Sequence, residues 1–97
     1  SLTKKCMGLV KDKLTYFNGL GGDPIASLVK GADRVHNVQT MTDVFSMEKQ
    51  KLYVTEVWEW FLPMMKNARH RFPEQAFAYE NLKIILRVQC GLLEASW

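Results

Sequence analysis

The chain has 97 residues, a length that allows one domain built on one hydrophobic core. The 13 Lys and Arg exceed the 10 Asp and Glu by three, a surplus too small to indicate nucleic acid as a partner. With 47% hydrophobic and 24% charged residues, the composition excludes an intrinsically disordered chain. The sequence contains no run of 18 apolar residues, so it predicts no membrane span. The two cysteines, Cys6 and Cys90, lie far apart in the sequence, which favours free thiols in a cytoplasmic protein.

Hydrophobic periodicity predicts four helices and no strand. The first is expected from about Thr3 to Asn18, before a glycine-rich stop at positions 19–22. The second begins with Asp23 as N-cap and Pro24 at the first helical position, and it ends near Met41. The residues expected to face inward are Met7, Val10, Leu14 and Phe17 on the first helix, and Ile25, Leu28, Val29, Ala32 and Val35 on the second.

The third helix is expected from Met47 to Arg71, with a kink at Pro63 because proline removes one intrahelical hydrogen bond. The fourth begins at Pro73 and continues to the end of the chain. The residues expected to face inward are Leu52, Tyr53, Val57, Trp58, Phe61, Met64 and Ala68 on the third helix, and Ala76, Phe77, Leu82, Ile85, Leu86, Leu92 and Leu93 on the fourth. Cys90 is expected to be a small buried hydrophobe. The sequence therefore predicts an all-α bundle of about four helices, with residues 1–97 forming a single domain.

The most informative segment of the sequence is a polar stripe on the second helix. Lys30, Asp33, Asn37 and Thr40 are spaced 3, 4 and 3 residues apart, which places them on one face. A cation, a carboxylate, an amide and a hydroxyl in line are suited to a pocket for a charged, hydrogen-bonding ligand. The spacing alone favours a solvated helix face, since charged stripes are common on surface helices.

The residue identities in this segment add a resemblance to a known family. The pattern Lys30-x-Ala32-Asp33-Arg34-x-His36-Asn37-x-x-Thr40 resembles the last motif of the HD-superfamily hydrolases of the stringent response, the RelA/SpoT-type (p)ppGpp hydrolases and their small relatives. The family pattern is Lys-Leu-Ala-Asp-Arg-Leu-His-Asn-Met-Arg-Thr. The chain departs from it at Gly31 and Gln39, where Leu and Arg are usual, and conservatively at Val35 and Val38.

The resemblance implies a role for each matching residue. Asp33 would be the last protein ligand of a divalent metal, usually Mn²⁺, and a hard carboxylate oxygen suits that ion. Asn37 and Thr40 would line the pocket for a guanine nucleotide, and Lys30 would lie near phosphate or on the rim. Arg34 would form a salt bridge that holds the helix, and His36 would be a structural residue hydrogen-bonded inside the bundle.

The other metal ligands of the family, two His and one Asp that include an adjacent His-Asp pair, have no counterpart here. His36 and His70 are followed by Asn37 and Arg71. We therefore expect the chain to be the C-terminal part of a longer HD-like hydrolase domain. The complete domain would remove the 3′-pyrophosphate of (p)ppGpp, and this part alone would be inactive. The alternative is a non-catalytic helical module that binds a nucleotide or another protein.

In the family, the other metal ligands lie on helices upstream of this motif. Because those helices have no counterpart here, the resemblance also predicts self-association. Apolar residues that would meet those helices lose their cover, and Leu28, Val35 and Val38 are the expected members. A homo-oligomer with these side chains at its interface is the predicted outcome.

Overall fold

The computed structural model describes the backbone of residues 4–97 and the side chains of residues 12–97. Over this range the predicted all-α fold is confirmed, since the chain contains helices and no strand. The helices are α1 (Lys4–Gly21), α2 (Pro24–Thr40), α3 (Met47–Glu56), α4 (Leu62–Arg71) and α5 (Ala76–Ser96). A π-helical segment, Val57–Phe61, joins α3 to α4 without a break, so the elements form four rods.

The starts of α2 and α3 are capped by side chains that precede them in the sequence. The carboxylate of Asp23 accepts hydrogen bonds from the backbone N–H groups of Ile25 and Ala26, both at 3.0 Å, and so caps α2. The hydroxyl of Ser46 accepts one from the N–H of Lys49 at 3.2 Å and caps α3. One turn of 3₁₀-helix, Pro73–Gln75, leads into α5.

The irregularity expected at Pro63 takes the form of the π-helical segment just before it. The N–H of Leu62 donates to the carbonyl of Val57, five residues back, and Pro63 then takes the second position of α4. The chain thus continues as one rod across Pro63 rather than ending there.

The core lies between α2, α4 and α5, with α1 and the π-helical segment closing one side. Its most deeply buried apolar side chains are Val38, Met41, Val57, Met65, Ala68, Tyr79, Leu86 and Cys90. The predicted burial of Cys90 is therefore correct, as is that of Phe17, Phe61, Met64 and Leu93. Met7 and Val10 lie outside the side chains that the structure describes.

α2 and α5 run side by side in the same direction. The hydroxyls of Ser27 and Tyr79 form a buried hydrogen bond near the start of both helices. One turn later, a Cβ placed on Gly31 would overlap the end of the Met65 side chain and lie 3.0 Å from Cδ1 of Leu82. Small residues on α2 therefore allow α4 and α5 to approach closely.

The inward face expected for α2 is wrong. Ile25 is 75% exposed and Val29 is 59% exposed, Ala32 is also exposed, and Leu28 and Val35 are only partly buried. The buried residues of α2 are Ser27, Gly31 and Val38. Because Val38 is buried and Leu28 and Val35 are half covered, the three residues expected to form a self-association interface are not the exposed ones.

Other predicted core positions also face solvent. These positions are Leu14, Leu52, Trp58, Phe77, Ile85 and Leu92. In their place, the polar residues Gln50 and Lys83 are buried. None of the described helices is long and apolar enough to cross a membrane.

Candidate functional site

Three of the four stripe residues line one open depression. Lys30, Asp33 and Asn37 of α2 lie along a depression of about 380 Å³ that α2 forms with α1, α3 and the π-helical segment. The other residues that line it are Asp12, Lys13, Tyr16, Phe17, Arg34, Tyr53, Glu56 and Phe61. The helical spacing read from the sequence therefore corresponds to a concave surface at these three positions.

Thr40 does not line the depression. Its side chain is exposed, and its hydroxyl donates a hydrogen bond of 2.9 Å to the carbonyl of His36 in the same helix. This local bond satisfies the hydroxyl one turn beyond Asn37. The structure thus brings Lys30, Asp33 and Asn37 together and leaves Thr40 at the end of the helix.

Arg34 forms the inner wall of the depression. Its guanidinium carbon lies 4.1 Å from the ring centre of Tyr53 and 4.7 Å from that of Phe61. Nη1 donates to the carbonyl of Tyr53 at 3.1 Å and to the carboxylate of Glu56 at 3.2 Å. This arrangement includes the salt bridge that the motif implies for Arg34, and it attaches α2 to the junction of α3 with the π-helical segment.

The charges of the depression divide into a paired set and a free set. The carboxylate of Glu56 is bound by both Lys13, at 2.8 Å, and Arg34, and its side chain is only 17% exposed. Among residues 12–97, Asp12 of α1 and Lys30 and Asp33 of α2 take part in no ion pair. These three are consequently the charged groups of the depression that remain available to a ligand.

Asp33 does not form a metal site with the side chains around it. Within residues 12–97, no three His, Cys, Asp or Glu side chains come close enough together to hold a metal ion. His36 offers no help, because it is exposed on α2 and not hydrogen-bonded inside the bundle as expected. The described residues thus supply fewer than three metal ligands here, and no catalytic step through a metal follows from them.

Sequence reasoning missed the residues that other elements contribute. Lys13, Tyr16, Tyr53 and Glu56 belong to α1 and α3, and no motif marks them. A pairing of Arg34 with a carboxylate was expected, but Glu56 is 22 residues away and the spacing alone does not identify it. Comparisons with protein-family models, curated proteins and solved structures found no match.

Proposed function

We propose that the chain is the nucleotide-binding part of a metal-dependent phosphohydrolase of the HD type, most like a (p)ppGpp 3′-pyrophosphohydrolase. The observation that carries the proposal is the convergence of Lys30, Asp33 and Asn37 on one open depression. These are motif residues, and they present a cation, a carboxylate and an amide to the same volume.

Each of these side chains has a role that fits a nucleotide. Lys30 is an exposed cation with no carboxylate partner among residues 12–97, so it can bind a phosphate without first giving up an ion pair. The Asn37 amide can donate to and accept from a base or ribose. Thr40 lies outside the depression, and a role for it in binding the nucleoside requires the ligand to extend beyond Asn37.

The proposal gives Asp33 one coordination position on Mn²⁺. It requires the remaining ligands to come from outside residues 12–97, because the described side chains do not complete a site. The 97-residue chain by itself would then bind nucleotide but not hydrolyse it.

A titration of the whole chain with ppGpp tests the proposal. We expect measurable binding, and Lys30→Ala should weaken it by about 10- to 150-fold, since a charge-assisted hydrogen bond contributes about 1.5–3 kcal/mol. Asn37→Ala should weaken it by a smaller factor. Lys66→Ala is the matched control, because Lys66 is an exposed lysine on α4 outside the depression. No binding to the wild-type chain, or equal losses for Lys30→Ala and Lys66→Ala, would reject the proposal.

A second candidate is a non-catalytic helical module that interacts with protein. The large apolar side chains exposed on α2 and α5 favour it. The same titration separates the two, because a pure interaction module would not respond to ppGpp.

A further inference from the structure

A second depression lies where α1 meets the π-helical segment and α4. We call it the α1–α4 depression, and its volume of about 320 Å³ is within the size range of sites that hold a small molecule. Of the residues that line it, only Phe17 also lines the depression beside Lys30. Its role is therefore independent of the nucleotide-binding function proposed above.

An aromatic surface forms one part of the lining. The ring of Trp60 stacks on that of Phe17, with 5.6 Å between the ring centres and 20° between the two planes. Phe17 is buried, whereas Trp60 is only half-buried and faces the depression. A planar ring that enters the depression can pack against the accessible part of the Trp60 indole, since aromatic rings favour offset stacking.

Two charged side chains line the same depression without an ion pair. Glu59 in the π-helical segment and Arg71 in the last turn of α4 are both exposed, and neither pairs with a charged group within residues 12–97. They lie twelve residues apart on one rod, which separates their Cα atoms by about 18 Å at a rise of about 1.5 Å per residue. The depression therefore has an acidic end beside Trp60 and a basic end at Arg71.

The basic end favours a phosphate group. The guanidinium of Arg71 lies beside the end of α1, where its Nη1 would be 3.7 Å from a Cβ placed on Gly22. A guanidinium without a carboxylate partner can donate two parallel hydrogen bonds to a phosphate. The amides of Asn18 and Asn67 line the depression as well and can supply further donors.

The acidic end selects the ring that stacks on Trp60. The carboxylate of Glu59 only accepts hydrogen bonds, so it favours a ring edge that carries N–H donors. Guanine presents two adjacent donors on one edge, its ring N–H and its exocyclic amino group, and a carboxylate can accept from both. Adenine presents an amino group next to a ring nitrogen that is itself an acceptor, and an aromatic acid without N–H groups presents no donor.

We propose that the α1–α4 depression binds a guanine mononucleotide. The base packs on Trp60 with its donor edge at Glu59, and the phosphate binds Arg71. Because the site is open and its contacts are few, the dissociation constant for GMP is expected on the order of 100 μM.

Titration of the whole ¹⁵N-labelled chain with GMP and with AMP, up to about 2 mM, tests the proposal. We expect GMP to shift the indole N–H resonance of Trp60, which is identified by its absence in Trp60→Phe, and AMP to bind about tenfold more weakly than GMP. Arg71→Gln should weaken both nucleotides by at least about tenfold and keep their ratio, because both carry the phosphate. Glu59→Gln should instead lower the preference for GMP over AMP.

Arg87→Gln is the matched control, because Arg87 is exposed on α5 outside the depression. It should bind both nucleotides as the wild type does, and unchanged helical circular dichroism should show that every variant is folded. No GMP binding at about 2 mM, equal wild-type affinities for GMP and AMP, or equal effects of Arg71→Gln and Arg87→Gln would each overturn the proposal. Lys30→Ala should leave the shift of Trp60 intact, and its loss would place the nucleotide in the other depression and overturn the proposal too.

Discussion

Arg34 shows how one residue connects the sequence motif to the shape of the depression. Its guanidinium lies against two aromatic rings and also bonds to a carbonyl and a carboxylate. A planar, delocalised cation can make all of these contacts at once, whereas an ammonium group cannot. The residue following Asp33 therefore fixes α2 against α3, and so fixes the direction in which Asp33 and Asn37 face.

We expect Arg34→Lys to lower the free energy of unfolding by about 1–2 kcal/mol, because the cation–π contacts and the second hydrogen bond are lost in a partly buried place. Urea denaturation measures the effect. Arg69→Lys is the control, since Arg69 pairs with Glu80 at 3.2 Å but is 43% exposed. It should change the stability by less than about 0.5 kcal/mol. Equal effects of the two variants would show that Arg34 acts only as a surface cation.

The thiol of Cys90 should be unreactive in the native protein. Cys90 is fully buried, and burial, with a smaller effect of Glu94, raises the pKa of its thiol from 9.0 to about 11. Because the reactive form is the thiolate, a Cys6→Ser chain should react slowly with a thiol reagent at pH 8 and rapidly once unfolded. Rapid labelling of the native Cys6→Ser chain would show that the thiol is accessible.

The same pKa shift predicts a dependence of stability on alkaline pH. The folded state holds the Cys90 proton more tightly than the unfolded state, so the unfolded state loses it first as pH rises. The contribution to stability is complete below pH 9 and is lost progressively between pH 9 and about 11. Cys90→Ala should remove this part of the dependence, which urea denaturation at pH 8, 9.5 and 11 measures. An identical pH dependence in Cys90→Ala would contradict the assignment.

At the scale of elements, two glycines in helices offer a matched pair of substitutions. Gly31→Ala would force the Met65 and Leu82 side chains away from α2, and overpacking of this kind costs about 1–3 kcal/mol. Gly91 in α5 has open space around its Cβ position. Gly91→Ala should therefore stabilise the protein by about 0.5–1 kcal/mol through helix propensity alone. Thermal unfolding compares the two, and a stabilising Gly31→Ala would show that the neighbours yield without cost.

Helix starts were predictable because they depend on local chemistry. Asp23 before Pro24 marks the start of α2 through its own side chain, and no distant residue is needed. Pro63 was harder to interpret, because a proline inside an apolar pattern can kink a helix or enter the first turn of a new one. The π-helical segment before it depends on how Val57 and Phe61 pack into the core, which periodicity does not report.

The buried face of α2 was not predictable from periodicity. Periodicity identifies the apolar face, which is Ile25, Leu28, Val29, Ala32 and Val35, but burial is decided by which face the neighbouring helices approach. That face carries Ser27 and Gly31, which are small and therefore permit close packing against Tyr79 and Leu82.

Half of the depression was predictable and half was not. The α2 side, Lys30, Asp33 and Asn37, follows from spacing within one helix. The opposite side comes from α1 and α3, and its members are placed by tertiary contacts such as that between Arg34 and Glu56. The roles of Lys30, Asp33 and Asn37 as ligands of nucleotide and metal remain predictions.

For the whole molecule, α2 is the element that three surfaces share. One face enters the core at Ser27 and Gly31, a second faces the depression at Asp33, and a third exposes Ile25 and Val29. A chain of 97 residues has little core to spare, and here one helix serves both the core and the candidate site.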